Sequence, residues 1–189
     1  MVRVKELDNY MKGVIFKHFL EYAESTFGLN FVDDLINKAS STDGVYLSFA
    51  NYPTEELVAL LSTTSEEKNL TVGRLLENFG VYTIPLLLDQ HPHIRDVYNH
   101  PLDLIEGVEN HIHEQVMKLY SDLSLPTFMV VSRTDNQLVM EYTSPRDLPD
   151  LALGFIKGTL KYFKTEGIVE TEKVTTREKT TKFTIKLLE

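Results

Sequence analysis

The sequence predicts an α+β fold, in which a helical N-terminal part packs on a four-stranded antiparallel sheet and one helix is inserted between the two strand pairs. Apolar residues recur at helical spacing through about the first two-thirds of the chain. From Pro126 onward, short runs rich in β-branched and aromatic residues are separated by turn residues. A further apolar helical segment separates the first two of these runs from the last two.

The first predicted helix spans residues 11–27, where Ile15 and Phe19 lie on one apolar face. The same periodicity predicts further helices at residues 30–40, 53–69, 71–90 and 101–120.

Two features interrupt this helical part. Gly80 and Pro85 lie inside residues 71–90, and because proline has no amide hydrogen we expect it to kink or break the helix. Residues 44–53 are expected to form a connecting stretch between helices.

The sheet is predicted from four runs that surround one helix. Residues 128–133 and 138–143 form a plausible antiparallel hairpin around a polar turn. A helix is predicted at 147–166, and the runs at 168–176 and 182–188 supply the remaining two strands. No repeat or Gly/Ser linker divides the chain, so a single domain is expected.

Composition excludes several classes of function. The net charge is −9 and no block of Lys and Arg stands out, so nucleic-acid binding is not expected. The absence of cysteine excludes thiolate-ligated metals and covalently attached haem. The charged N-terminus has no signal-peptide core and no apolar run reaches membrane-spanning length, so we expect a cytoplasmic protein without a membrane segment.

The stretch "YTSPR", residues 142–146, admits two interpretations. Ser144 is a favoured N-cap residue, so the stretch can mark the start of a helix. If the strand instead stays extended, Tyr142, Ser144 and Arg146 share one face and offer three hydrogen-bond donors to an anion.

Among the six histidines, His111 and His113 fall on opposite borders of the apolar stripe of the 101–120 helix. They cannot both bind one ion without distortion, because residues two apart on a helix point to different sides. Either one can serve as the single axial ligand of a haem iron, or both can be ordinary half-exposed histidines. The chain has no recognisable catalytic motif, so it is not expected to be an enzyme.

Several motifs together resemble the haem nitric oxide/oxygen binding (H-NOX) family, the haem domain of soluble guanylate cyclase and of stand-alone bacterial gas sensors. The stretch "YTSPR" matches the family hallmark Y-x-S-x-R, "HEQVMKLY" matches its proximal histidine segment, and "SLP" matches its haem-contacting proline. "MKGVIF" and "GFIKG" are also similar to family segments. The resemblance extends from Met11 to the C-terminus, so residues 1–10 are predicted to be an N-terminal extension and residues 11–189 one haem-binding domain.

The resemblance implies a non-covalent haem b between the two parts of the fold. His113 would bind the iron, Pro126 would press on the macrocycle, and Tyr142, Ser144 and Arg146 would hold the propionates. The side chains expected to line the pocket are those of Ile15, Phe19, Thr83 and Leu151.

Oxygen-binding members of the family carry a tyrosine at the position that matches Leu151, which has no donor. The resemblance therefore implies a sensor of nitric oxide that also binds carbon monoxide and excludes oxygen. Its output would be a conformational change passed to a histidine kinase or a cyclic-di-GMP enzyme. The alternative from another class is a haem-free module that binds a different apolar ligand or another protein.

Overall fold

The computed structural model describes residues 9–119 and 124–188 and confirms the α+β class. The chain divides into two compact units, one ending at Phe79 and the other beginning at Gly80. The prediction that residues 11–189 form a single domain is not decided by this division and stays a prediction. No helix in the described part of the chain is both long enough and apolar enough to cross a membrane.

From residue 9 to Phe79, the first unit contains three complete helices and a two-stranded antiparallel sheet. The elements are β1 (Tyr10–Lys12), α1 (Gly13–Phe27), α2 (Leu29–Ala39), β2 (Asn51–Pro53) and α3 (Thr54–Lys68). A fourth helix, α4 (Val72–Gln90), begins in this unit and continues into the second.

The small sheet of the first unit was not predicted. Met11 and Lys12 were expected in the first helix, but they pair with Tyr52 and Asn51 of the predicted connecting stretch. The Lys12 ammonium also donates to the carbonyl of Phe49 at 3.0 Å. These pairs join residues about forty positions apart in sequence, so local periodicity gives no sign of them.

A buried carboxylate fixes the loop between α2 and α3. Glu56 is only 8% exposed and accepts hydrogen bonds from the Ser41 amide at 2.9 Å, the Ser41 hydroxyl at 2.6 Å and the Tyr46 hydroxyl at 2.6 Å. The Ser40 hydroxyl donates to the same group at 3.0 Å. Burial acts to raise the pKa of Glu56, but these hydrogen bonds outweigh it and the pKa is lowered.

The second unit contains the four predicted strands. They are β3 (Thr127–Arg133), β4 (Gln137–Thr143), β5 (Gly167–Lys173) and β6 (Thr180–Leu187), in the order β3-β4-β6-β5 with every neighbouring pair antiparallel. The helices of this unit are the end of α4, α5 (Pro92–Arg95), α6 (Pro101–Gly107), α7 (Glu114–Leu119) and α8 (Pro149–Tyr162). The apolar face of the sheet packs on α6 and α8, where Leu102, Ile156 and Phe183 belong to one buried cluster.

A break in α4 at Pro85 is ruled out, because the helix is continuous from Val72 to Gln90, and a kink at this residue stays a prediction. Pro85 cannot donate to the carbonyl of Val81, and α8 packs closely against this turn. A Cβ placed on Gly158 would lie 3.2 Å from that carbonyl, and one on Gly80 would lie 2.8 Å from the backbone of Gly154. Glycines on both helices thus allow close backbone packing, which supports the helix where its own hydrogen bonding is interrupted.

The predicted 101–120 helix is divided by a π-helical segment, Val108–His113, which lies between α6 and α7. A Cβ on Gly107 would collide with the hydroxyl of Tyr98. That hydroxyl hydrogen-bonds His111 inside the π segment, 2.7 Å from its Nδ1. The wider turn is therefore held by a side chain from outside the helix, which helical periodicity cannot reveal.

We expect Glu56→Gln to lower the free energy of unfolding at pH 7 by about 1–3 kcal/mol, because an amide cannot accept all the hydrogen bonds that converge on the carboxylate. The pKa of Glu56 is lower in the folded chain, so its ionised form stabilises the fold above the ordinary carboxyl range, and this contribution is lost as the pH falls through the folded pKa. Urea denaturation of both proteins across this pH range measures the difference.

The matched control is Glu55→Gln, which changes the exposed neighbour on the same helix and should leave the unfolding free energy within about 0.5 kcal/mol. Equal effects of the two substitutions would contradict the assignment.

Candidate functional site

His113 ends the π segment, and one of its ring nitrogens is available. Its side chain is 16% exposed, and its Nδ1 lies 3.3 Å from Oε2 of Glu109. No hydrogen bond from a described residue engages its Nε2. Burial lowers the pKa of His113, and the neighbouring Glu109 opposes this only in part, so the ring is held neutral and can offer a lone pair to a metal.

His111 is engaged at both ring nitrogens. Its Nδ1 hydrogen-bonds the Tyr98 hydroxyl at 2.7 Å, and its Nε2 lies 2.5 Å from the side-chain nitrogen of Gln115. Helical periodicity left His111 and His113 equivalent as ligands, and only the family resemblance indicated His113. The contacts of the folded chain favour His113.

The ring nitrogens of His18, in the first unit, have contacts similar to those of His113. It is 3% exposed, its Nδ1 lies 2.9 Å from Oε2 of Glu21, and its Nε2 is buried without a hydrogen-bond partner among the described residues. What distinguishes His113 from His18 is therefore the set of side chains that surrounds each ring.

The ring of Phe128 lies between His113 and Tyr142, with centroids 5.8 Å from the first and 5.4 Å from the second. The amide of Phe128 also donates to Oε2 of Glu109 at 2.9 Å. Phe128, near the start of β3, thus connects the available histidine to the "YTSPR" stretch at the end of β4.

The interpretation of "YTSPR" as a helix start is wrong. Strand β4 ends at Thr143, a turn follows in which the Asp147 amide donates to the Ser144 carbonyl at 3.1 Å, and α8 begins only at Pro149. Leu148 precedes that helix and makes no side-chain cap. The extended face assumed in the other interpretation also ends at Ser144, because the chain turns there.

The three donors are nevertheless close together. Ser144 Oγ accepts from the Arg146 amide at 3.3 Å and lies near the Tyr142 hydroxyl, which accepts from the Leu148 amide at 3.3 Å. Burial raises the pKa of Tyr142, and its hydrogen bonds and the charge of Arg146 offset this only in part, so the phenol is protonated at neutral pH. The turn therefore gathers a phenol, a hydroxyl and a guanidinium.

Arg146 connects this turn to the segment before β3. Its guanidinium donates to the carbonyl of Ser124, two residues before Pro126. Pro126 is half-buried and directly precedes the first residue of β3. The proline, the arginine and the histidine thus lie in one connected part of the second unit.

The four expected pocket residues lie in both units. Leu151 is 8% exposed near the start of α8, and Thr83 is fully buried in α4. In the first unit, Phe19 is fully buried with its ring edge-on to Phe79 at 5.4 Å, and Ile15 is half-buried on the same helix.

No three or more His, Asp or Glu side chains of the described residues converge in a way that could hold a bare metal ion. An available histidine in such surroundings suits a metal whose other ligands come from a prosthetic group.

A family model described as haem-NO-binding matches residues 12–171. The chain belongs to this H-NOX family. The family is one of haem-based gas sensors, and haem is its cofactor. A comparison with curated proteins finds no match.

Solved H-NOX structures have the same fold. The unliganded Fe(II) H-NOX protein from K. algicida is 33% identical with a TM-score of 0.86, over 95% of this chain and 97% of that one. The Fe(II)NO form of the S. oneidensis protein is 26% identical with a TM-score of 0.87, over 95% and 100% of the two chains. Its Fe(II)CO form is 26% identical with a TM-score of 0.84, over 95% and 99%.

The residues of the second unit fit a haem. A neutral imidazole with an available Nε2 suits the iron, and a guanidinium beside two hydroxyl groups suits the propionate carboxylates.

Sequence reasoning missed Glu109 and Phe128. The spacing of Glu109 and His113, four residues apart on a helix, was a visible signal for a side-chain pair. The contact of Phe128 with His113 depends on how β3 packs on the π segment and had no signal in the sequence.

Proposed function

We propose that this H-NOX protein senses nitric oxide at a ferrous haem b and passes the signal to a partner protein through a conformational change. The observation that carries the proposal is the neutral His113, whose Nε2 is available while Nδ1 is occupied, in contact with the side chains of the hallmark motif through Phe128. Bound haem would supply the iron that binds the diatomic gas.

His113 would be the protein ligand to the iron. Its Nδ1 faces a carboxylate, so the ring proton stays on Nδ1 and the lone pair on Nε2 is free to bind metal. Release of His113 when nitric oxide binds would free the segment that carries it, and through Phe128 the start of β3.

Arg146, Tyr142 and Ser144 would hold the propionates, and Pro126 would contact the macrocycle. The arginine supplies charge and the two hydroxyl groups supply neutral hydrogen bonds. The link from Arg146 to the Ser124 carbonyl supports this, because it connects the propionate donors to the segment of Pro126.

Gas selectivity would follow from the side chains near the bound gas, taken in the second unit as Thr83 and Leu151. Leu151 has no side-chain hydrogen-bond donor, nor have Ile15 and Phe19 of the first unit, and bound oxygen needs a donor far more than nitric oxide does. Thr83 is the exception, but Thr64 and Thr159, which are also buried in helices, donate to the carbonyl four residues earlier at 2.8 and 2.9 Å. A threonine that bonds in this way offers nothing to a gas ligand.

The partner would be a histidine kinase or a cyclic-di-GMP enzyme, as the family resemblance suggests, and the chain itself would have no catalytic activity. Solved H-NOX proteins described with nitric oxide and with carbon monoxide support both gases as ligands here.

His113→Ala should abolish the five-coordinate ferrous spectrum of a histidine-ligated haem, because it removes the only protein ligand to the iron. Absorption and resonance Raman spectra of the reduced protein measure this, and added imidazole should restore ligation. His111→Ala and His18→Ala are the matched controls and should leave the spectrum unchanged. Loss of ligation in either control, with the spectrum of His113→Ala intact, would refute the assignment.

Arg146→Ala should increase the rate of haem loss by about tenfold or more, since a hydrogen bond to a charged group contributes about 1.5–3 kcal/mol. Transfer of haem to an acceptor protein measures the rate. Arg146→Lys keeps the charge, so its rate of haem loss should lie between those of Arg146→Ala and the unmodified protein. Arg177→Ala removes an exposed arginine of the same unit and should have no effect, so equal rates for Arg146→Ala and Arg177→Ala would contradict the prediction.

The ferrous protein should keep its gas-free spectrum in air, bind carbon monoxide and become five-coordinate with nitric oxide, because the proposed pocket offers oxygen no donor. Leu151→Tyr places a phenol on α8 and is expected to introduce oxygen binding. Absorption spectra recorded under each gas test both statements. A stable oxygen complex of the unmodified protein would show that the pocket contains an effective donor.

A further inference from the structure

Glu109 makes two contacts with a single carboxylate oxygen. Its Oε2 accepts from the Phe128 amide at 2.9 Å and lies 3.3 Å from Nδ1 of His113. The carboxylate side chain is 32% exposed, so water reaches it, while the imidazole beside it is mostly buried. One oxygen thus joins the π segment to the first residues of β3.

We propose that Glu109 is a positioning residue for the iron ligand, which keeps the proton of His113 on Nδ1 and connects the ring to strand β3. This inference rests on the proposed function, because it requires His113 to bind the iron. It goes beyond that function because it assigns the tautomer and orientation of His113 to a residue outside the hallmark motifs.

The first consequence concerns the strength of the bond between His113 and the iron. A carboxylate that accepts from the distant ring nitrogen of a histidine ligand fixes the tautomer and makes the coordinating nitrogen more basic. At 3.3 Å the contact is long for a charge-assisted hydrogen bond, so it orients the ring and leaves the proton on Nδ1. Glu109 would therefore strengthen the bond between Nε2 and a bound iron.

The second consequence concerns the path of the signal. Because Oε2 serves both groups, a displacement of the His113 ring changes the surroundings of the Phe128 amide. The ring of Phe128 also touches His113 and Tyr142. A movement of the histidine would therefore be transmitted to β3 through the hydrogen bonds of Glu109 as well as through the ring of Phe128.

The experiment uses the full chain with ferrous haem and no gas, and measures the iron–histidine stretching frequency by resonance Raman spectroscopy. Glu109→Ala should lower the frequency and increase the rate of haem loss roughly tenfold, the lower end of the 10–100-fold effects seen for such partners of metal ligands. Glu109→Gln retains an oxygen acceptor and should give a frequency between those of Glu109→Ala and the unmodified protein.

Glu114→Ala is the matched control, because it removes a carboxylate directly after His113 on an exposed side chain. Its frequency should equal that of the unmodified protein. A second readout is hydrogen exchange at the Phe128 amide, which should be faster in Glu109→Ala than in Glu114→Ala.

The outcomes separate the two proposals. An unchanged frequency in Glu109→Ala, with His113 still bound to the iron, overturns the inference and leaves the proposed function intact. The same holds if Glu114→Ala lowers the frequency as much as Glu109→Ala does. If Glu109→Ala does not fold, Glu109→Gln decides alone, since a lowered frequency supports the inference and an unchanged one overturns it. If the unmodified protein shows no iron–histidine band, both proposals fail.

Discussion

The contact of Glu109 with His113 and with the Phe128 amide is the interaction on which the rest of the site depends. It occupies Nδ1 of the histidine, leaves Nε2 available, and fixes the π segment to the start of β3. Phe128 in turn touches Tyr142, whose hydroxyl meets Ser144 in the turn that carries Arg146. The histidine proposed to bind the iron and the donors proposed to hold the propionates are therefore joined by a short series of contacts within one unit.

The turn at the end of β4 brings the hydrogen-bond donors of residues 142–146 closer together than an extended strand would. Continued extension would place Tyr142, Ser144 and Arg146 about 7 Å apart along one face. The observed turn instead lets the Ser144 hydroxyl meet both the phenol and the Arg146 amide. The guanidinium can then reach the Ser124 carbonyl while Tyr142 stays buried in the core. Tyr142 thus contributes both to the packing of the core and to the set of donors proposed to hold the propionates.

The fold class and the four strands could be predicted because alternating runs and turn residues are local signals, and the strands at β3 and β4 follow them closely. The β1–β2 pair could not, since it joins Met11 to Tyr52 through backbone hydrogen bonds that any side chain permits. The predicted break of α4 at Pro85 failed for a related reason. The effect of Pro85 on the helix depends on how closely α8 can approach Val81, which Gly158 allows.

The contacts of a single histidine are not enough to identify the proposed iron ligand. His18 is buried and His113 is half-buried, but each has Nδ1 beside a carboxylate and an Nε2 that no described residue engages. The hydrogen bonds of the two rings therefore cannot separate them. A haem-binding site needs a ligand for the iron and, close to it, a cationic side chain for the propionate carboxylates. Contacts through Phe128 lead from His113 to the turn of Arg146, and this combination supports His113, the residue that the family resemblance also indicates, as the proposed ligand.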